Sequence, residues 1–294
     1  MKPVTVMIIV LSVLTVCGVV IFLRSLYERN SVAVTNVNIA LKGLHGTKKA
    51  AFFADFHSAK SKSFQKKILK QMSKNGVEIV LIAGDMVIGK KNADNGPALD
   101  FLKKLCEKYH VYLTFGNHET RIPYRKINDK SNFLEEIYNI KHLHIINNDV
   151  MKLKINNISV NLYGLELTEE YYNKTKPKML STEYITEKLG EKKEGYTILM
   201  SHKPDYVKQY HEYGADLVLS GHNHGGIVRL PMLGGILSTS FQLFPKYSGG
   251  IYYERNTIMI LTRGLGTHTI NFRLFNKPEL VVINFKPFYS VIKK

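Results

Sequence analysis

The sequence predicts an α/β fold with a mainly parallel sheet, carried behind one N-terminal membrane-spanning helix. Three observations predict it. Apolar strand candidates alternate with helix candidates between residues 49 and 115, each of those strands stops at a polar residue, and an uncharged run occupies Val4 to Leu23. Strand–helix alternation at this spacing builds βαβ units. Ligand sites in such sheets lie outside the carboxyl ends of the strands.

Val4 to Leu23 is twenty residues long and flanked by Lys2 and Arg24. At about 1.5 Å per residue it spans roughly 30 Å, the thickness of a bilayer core. A cleaved signal peptide has a shorter apolar core and a small-x-small cleavage site. Leu14-Thr-Val-Cys17 resembles a lipobox, but Val16 stands where a small residue belongs. The run is read as a single uncleaved anchor in the cell membrane. Residues 1–30 form anchor and juxtamembrane segment, and residues 31–294 one folded domain. Basic residues on both sides leave the orientation open.

Val32 to Ala40 alternates apolar and polar residues, as an edge or hairpin strand does. Lys49 to Ala54 is a buried strand that runs into Asp55-Phe-His57, and Ser63 to Ser73 has helical spacing ended by Asn75-Gly76. Glu78 to Ala83 is the next buried strand, ending in Gly84-Asp85. Pro97 opens a helix carrying Leu99, Leu102 and Leu105, and Val111 to Phe115 is a strand ending in Gly116-Asn-His-Glu119. Asn132 to Tyr138 reads as helical, and Ile145 to Tyr163 as a meander broken at Asn147-Asn148 and Asn156-Asn157. The lysine-rich stretch from Glu166 to Glu194 has a helix around Tyr184 to Leu189. Tyr196 to Met200 is a strand ending in Ser201-His202, and Lys203-Pro204-Asp205 opens a helix. The strand from Asp216 to Leu219 ends in Gly221-His-Asn-His224. Residues 229–250 form a loop, and strands at Gly250 to Tyr253, Thr257 to Leu261, Asn271 to Phe275 and Leu280 to Phe285 close the domain.

The strand ends collect Asp55, His57, Asp85, Asn117, His118, His202, His222 and His224, which include five of the chain's eleven histidines. A lone His or Asp after a strand is usually a cap or a satisfied core residue. Five strand ends doing the same thing point to a metal site, because neutral imidazole is the commonest metal ligand and carboxylate or carbonyl oxygens complete a mixed shell. Glycines at 221, 225 and 226 leave room for close approach.

The order Asp55-Phe-His57, Gly84-Asp85, Gly116-Asn-His-Glu119, His202 and Gly221-His-Asn-His224 resembles the calcineurin-like metallophosphoesterases. The resemblance covers about residues 48–285. Gly225 to Pro231, Arg263-Gly-Leu-Gly-Thr267 and Phe275-Asn-Lys-Pro-Glu279 are similar to the membrane-associated or exported bacterial subgroup. Ala54 stands where serine is common and Glu119 where aspartate is common. The resemblance implies an α/β sandwich of two mixed sheets flanked by helices, with residues 31–294 the metallophosphoesterase domain. It implies two divalent metal ions, with Asp55, His57 and His224 on the first, Asn117, His202 and His222 on the second, and Asp85 bridging. His118 becomes the catalytic residue that stabilises the transition state or protonates the leaving group. Two such ions about 3.5–4 Å apart polarise phosphoryl oxygens and supply hydroxide at neutral pH. The donor set suits Mn, Fe, Zn or Ni and does not choose among them.

The expected function is therefore phosphoester hydrolysis by a membrane-tethered phosphodiesterase or phosphatase, its substrate lipid- or envelope-associated. A metal-free scaffold of the same fold and a nuclease are the alternatives. Lys and Arg total 41 against 24 Asp and Glu, a net charge of +17. That favours an anionic neighbour such as a membrane surface or a phosphate-bearing substrate, and equally fits a solvated lysine-rich surface. No arginine-rich run or helix-turn-helix pattern supports a specific nucleic-acid partner. Two cysteines exclude a disulfide framework. The oligomeric state is open. His45, His110, His142, His144, His211 and His268 are read as structural, with His268 the one a glycine-rich loop could bring toward the site. The apolar pieces Leu230 to Leu233 and Phe241 to Phe244 are read as core, with an acyl-chain or membrane-facing lip as the alternative.

Overall fold

Val, Ile, Leu, Ala and Phe fill strands that are buried on both faces, and these strands set the architecture. The computed structural model describes residues 2–59, 61–127, 129, 131–230, 233–238, 243–267 and 270–288. Among them the strands form two six-stranded mixed sheets and a two-stranded ribbon. The first sheet contains β1 (Ala33–Leu41), β2 (Lys48–Phe53), β3 (Ile79–Ala83), β4 (His110–Thr114), β5 (Leu143–Ile145) and β14 (Glu279–Pro287), in the order β1-β14-β2-β3-β4-β5. The second contains β6 (Asp149–Ile155), β7 (Ile158–Leu165), β8 (Thr197–Ser201), β9 (Leu217–Ser220), β12 (Gly250–Glu254) and β13 (Thr257–Leu261), in the order β12-β13-β9-β8-β7-β6. Between β9 and β12 in sequence lies the ribbon of β10 (Arg229–Leu230) and β11 (Gly234–Gly235).

Alternate residues of one strand serve two cores. Ala50, Phe52 and Ala54 face the second sheet with Ile39, Leu81, Leu162, Ile198 and Ile283. Ala51 and Phe53 face the opposite way, onto α2 (Lys62–Lys74) and α3 (Gly96–Cys106). The outer face of the second sheet packs on α6 (Thr182–Leu189) and α7 (Val207–Tyr213) through Leu199, Ile185, Val207 and Tyr210. The result is the expected α/β sandwich.

Local signals place the helix ends. Ser61 caps α2 by accepting from Phe64 N at 3.3 Å, and Gly76, at φ +66°, follows its end. Two short helices complete the first half, α4 (Asn117–Tyr124) and α5 (Phe133–Glu136). No apolar periodicity marks α4 in the sequence. Its start is marked by Glu119 at the third helical position, which reaches back to Gly116 N at 2.9 Å.

Three expectations need correction. Residues 145–163 are not one meander: β5 belongs to the first sheet, and Asn147, whose Oδ1 accepts from Phe115 N at 2.7 Å, marks the crossing to the β6–β7 hairpin of the second. Asn271 to Phe275 is not a strand. It makes one isolated bridge, Leu274 to Val228, because its polar groups are spent on contacts with the N-terminal helix. Leu230, Leu233, Leu243 and Phe244 are exposed rather than core. Pro231, Met232, Phe241, Gln242 and His268 lie outside the described residues.

Helix α1 (Pro3–Arg29) is long and apolar enough to cross a membrane. Its side chains are exposed along most of its length, and only Ser25 and Glu28, in the last turns, are buried.

Candidate active site

All eight residues singled out in the sequence stand at one edge of the sandwich. Asp55 and His57 follow β2, Asp85 follows β3, and Asn117 and His118 open α4 after β4. From the second sheet come His202 after β8 and His222 and His224 after β9. Backbone strain accompanies this convergence. Asp55, His57, Asp85, His222 and His224 all hold left-handed φ values, from +47° to +75°. For non-glycine residues such conformations cost about 1 kcal/mol or more each, and they persist where the surroundings impose them.

The surroundings are backbone bonds between strand ends. Asp55 N donates to Gly84 O and His57 N to Asp85 O, both at 3.0 Å. Asp55 in turn accepts from His222 N at 3.1 and 3.0 Å, so one carboxylate ties β2 to β9. His118 N donates to Asp85 Oδ1 at 2.8 Å. Gly116 has no room for a side chain, because a Cβ there would overlap the Asp85 carboxyl group.

The imidazole rings are held by their outer nitrogens. Nδ1 of His57 faces Val87 O at 3.1 Å, Nδ1 of His202 faces Ala83 O at 2.6 Å, and Nδ1 of His224 faces Gly266 O at 3.3 Å. A carbonyl can only accept, so each Nδ1 carries its proton and each Nε2 turns inward. His57 Nε2 and His224 Nε2 lie 3.0 Å apart, and His224 Nε2 is 3.3 Å from Asp55 Oδ1. His202 Nε2 is 3.0 Å from Asp85 Oδ2 and 3.6 Å from Asp55 Oδ1. Nε2 atoms converging beside carboxylates, each ring oriented by a carbonyl behind it, are the arrangement of metal-ligating histidines. The buried Oδ1 of Asn117 has no hydrogen-bond partner among the described residues. That orphaned acceptor fits a cation as well. Among the described residues, three side-chain groups are compact enough to hold an ion: Asp55, His57 and His224; Asp85, His202 and His222; and His57, Asp85 and His118.

His118 differs from its neighbours in the third group. Its Nδ1 accepts from Gly89 N at 2.8 Å, so the neutral ring carries its proton on Nε2, 3.9 Å from Asp85 Oδ2. It offers the site a hydrogen bond rather than a lone pair, and we therefore discount the third group as an ion site.

Electrostatics follow from burying two carboxylates among imidazoles. Burial raises the Asp55 pKa to about 7, with Asp85 adding to the rise and His202 opposing it. Burial also works to raise Asp85, but the fields of His202, His118 and His57 outweigh it and hold that carboxyl well below its usual range. Burial disfavours charge on His202, yet Asp85 and Asp55 beside it raise its pKa to about 9. His222 is lowered well below 6.5 by burial, then by Lys203 and His202. A metal ion binding here must displace the protons of Asp55 and His202. Affinity for a divalent ion is therefore expected to rise between about pH 6 and 9, with protons released. Calorimetry in buffers of different ionisation enthalpy measures that release; an affinity flat across this range would contradict it.

Two further residues, to which the sequence analysis assigns no role, shape the site. Glu119 is fully buried and accepts from the backbone N–H of Asp85, Met86, Val87 and Gly116. Its capping position was the available signal. Tyr172 packs 5.1 Å from the His222 ring, with Lys203 Nζ 5.6 Å above it. Nothing in the local pattern around Tyr172 marks it.

The model of the calcineurin-like phosphoesterase family matches residues 48–226 of the sequence, a span that contains all eight residues. The chain belongs to this family. It is 23% identical to the metallophosphoesterase YkoQ of Bacillus subtilis over 92% of this chain and 97% of that one. It is 22% identical to phosphodiesterase YaeI of Escherichia coli, over 80% and 81% of the two chains. It is 23% identical to UDP-2,3-diacylglucosamine pyrophosphatase LpxG of Chlamydia muridarum, over 82% and 84%. Among solved structures, TT1561 of Thermus thermophilus aligns over 75% of this chain and 91% of its own, at 12% identity and a TM-score of 0.49.

Proposed function

We propose that the chain hydrolyses a phosphoester using two divalent metal ions, and that the ester belongs to a membrane-held molecule. The observation that carries the first part is the orientation of His57, His202 and His224, each with Nδ1 on a carbonyl and Nε2 aimed at Asp55 or Asp85. Asp55, His57 and His224 would hold one ion and Asn117, His202 and His222 the other. Asp85, whose Oδ2 is 3.0 Å from His202 Nε2 and 3.9 Å from His57 Nε2, would be shared. When bound, the ions supply Lewis acidity toward phosphoryl oxygens and a nucleophile at neutral pH. The chain's own part is positional. His118 presents its Nε2 proton to the side of Asp85, where it can hydrogen-bond charge developing on the phosphoryl or leaving-group oxygen. Backbone hydrogen bonds to Asp85 and Asp55 keep both carboxylates in place as charge moves.

Membrane presentation is supported by α1 and by the apolar residues near its end. Phe275 stacks beneath Arg24 at 5.6 Å, and Leu274 bridges to Val228, next to the ribbon bearing exposed Leu230 and Leu233. A cavity of about 370 Å³ runs from Arg29 and Asn30 to Ser58 and His57, joining the end of α1 to the site. The name of the relative LpxG refers to a lipid-bearing diphosphate.

The test uses the full chain in detergent, then in vesicles, loaded with Mn²⁺. We expect about two ions per chain, hydrolysis of a chromogenic diester or monoester, and faster turnover of a vesicle-embedded phosphoester than of its short-chain analogue. A folded chain that binds no metal and hydrolyses neither ester would favour the scaffold. Equal turnover of the embedded and soluble forms would remove the membrane-held substrate.

A further inference from the structure

We propose that the last turn of α1 is a working part of this site: the Glu28 carboxylate, acting through Asn276, positions His224 and so sets the affinity for the ion that Asp55, His57 and His224 share. The inference rests on the two-metal reading. It concerns a helix that otherwise looks like a tether.

Glu28 is fully buried although the helix around it is largely exposed. A desolvated carboxylate is tolerated where its oxygens are hydrogen-bonded, and both of these are. Oε1 accepts from Arg24 Nε at 2.8 Å, and Oε2 accepts from Asn276 N at 2.8 Å. Asn276 Nδ2 then donates to His224 O at 2.8 Å and makes a second, shorter bond to Gly226 O. Three groups thus link the N-terminal helix to the backbone of a candidate ligand.

A second row runs beside the first. Ser25 Oγ accepts from Arg273 N at 3.1 Å, and the fully buried Arg273 guanidinium donates to the carbonyls of Arg263, Gly264 and Gly266 at 3.0, 3.2 and 2.7 Å. Gly266 N donates to Asp55 O at 2.6 Å, and Gly266 O is the carbonyl behind His224 Nδ1. Both rows end on residues of the first group. Among the described residues, neither row runs on from Asn276 or Arg273 to Asn117 or His202. The described residues between Gly264 and Pro278 form no named helix or strand, and hydrogen bonds from the helix end and the arginine hold them.

That asymmetry is testable by titrating Mn²⁺ into the metal-free full chain in detergent. Wild-type chain is expected to take two ions. Glu28→Ala should weaken one of them by about 10–100-fold, the range for residues that orient a ligand, and leave the other unchanged. Glu28→Gln keeps an oxygen for Asn276 N and should restore affinity to within about threefold. Asn276→Ala should match Glu28→Ala, and the double variant should be no worse than either single one, since they act in one row. Leu153→Ala, a buried change remote from the helix, controls for general loosening and should keep both ions. Two ions bound normally by Glu28→Ala would overturn the proposal, as would equal weakening of both in step with a fall in Tm. If Glu28→Ala does not fold, Ser25→Ala applies the same test through the second row. A wild-type chain that binds no Mn²⁺ would instead overturn the two-metal reading itself.

Discussion

Asp85→Asn is expected to lower kcat by about 10³-fold or more, roughly 4 kcal/mol of transition-state stabilisation, and to reduce the bound metal below two ions. Asparagine keeps the shape, and its oxygen can still accept from His118 N, which bonds Asp85 Oδ1 at 2.8 Å. What it removes is the negative charge. His202, His118 and His57 all bring their Nε2 atoms to within 3.9 Å of Asp85 Oδ2. Two divalent ions held by these groups would repel each other, and the charge of the carboxylate would offset that repulsion. His118→Asn is the informative contrast. It should lower kcat by about 10²–10⁴-fold while leaving the metal content at two, because His118 offers a proton and not a lone pair. Metal analysis beside steady-state kinetics separates the two variants. Retention of both ions and of activity within tenfold by Asp85→Asn would remove Asp85 from the shared position.

Glu119→Ala is expected to destabilise the domain by about 3–5 kcal/mol, the scale for breaking a buried hydrogen-bond network. Four backbone N–H groups, at Asp85, Met86, Val87 and Gly116, point at this one carboxylate at 2.9, 2.6, 3.2 and 2.9 Å. Alanine leaves all four donors buried without a partner, each a loss of about 1–3 kcal/mol before water or rearrangement recovers part of it. Burial and the neighbouring Asp85 raise the Glu119 pKa to about 7, against the hydrogen bonds that favour its charged form. Glu119→Gln retains an acceptor and should lose much less. Urea denaturation of the three proteins measures the difference, and an alanine variant within 1 kcal/mol of wild type would show that the loops hold themselves.

The residues that converge on the site were legible in the sequence because their signal is local. An apolar, β-branched run as short as Ile79–Ala83, closed by Gly84, reads as a buried strand rather than a helix, and the first polar residue after it, Asp85, emerges at the strand's carboxyl end. Repeated at β2, β4, β8 and β9, that rule collects Asp55, His57, Asn117, His118, His202, His222 and His224 without knowledge of the fold. Where the rule is absent, the reading failed. Asn271 to Phe275 has the composition of a strand, but Arg29, Ser25 and Glu28 take up backbone groups of Asn271, Arg273 and Asn276, and pairing is confined to the single bridge between Leu274 and Val228. Leu233 and Phe244 look like core by composition, yet both side chains stand exposed in the structure.

The sequence by itself determined the α/β class, the polar residue at each strand end, and an apolar N-terminal helix. Each is decided by side-chain periodicity and chain length within a few residues. Only the tertiary structure decided which nitrogen of each imidazole faces inward, that Glu119 binds two loops together, and that Glu28 reaches across the chain to Asn276. Those are matters of hydrogen bonds between residues as many as 248 positions apart. Such bonds are short-ranged and directional, so they exist only once the fold has brought donor and acceptor within about 3 Å of each other.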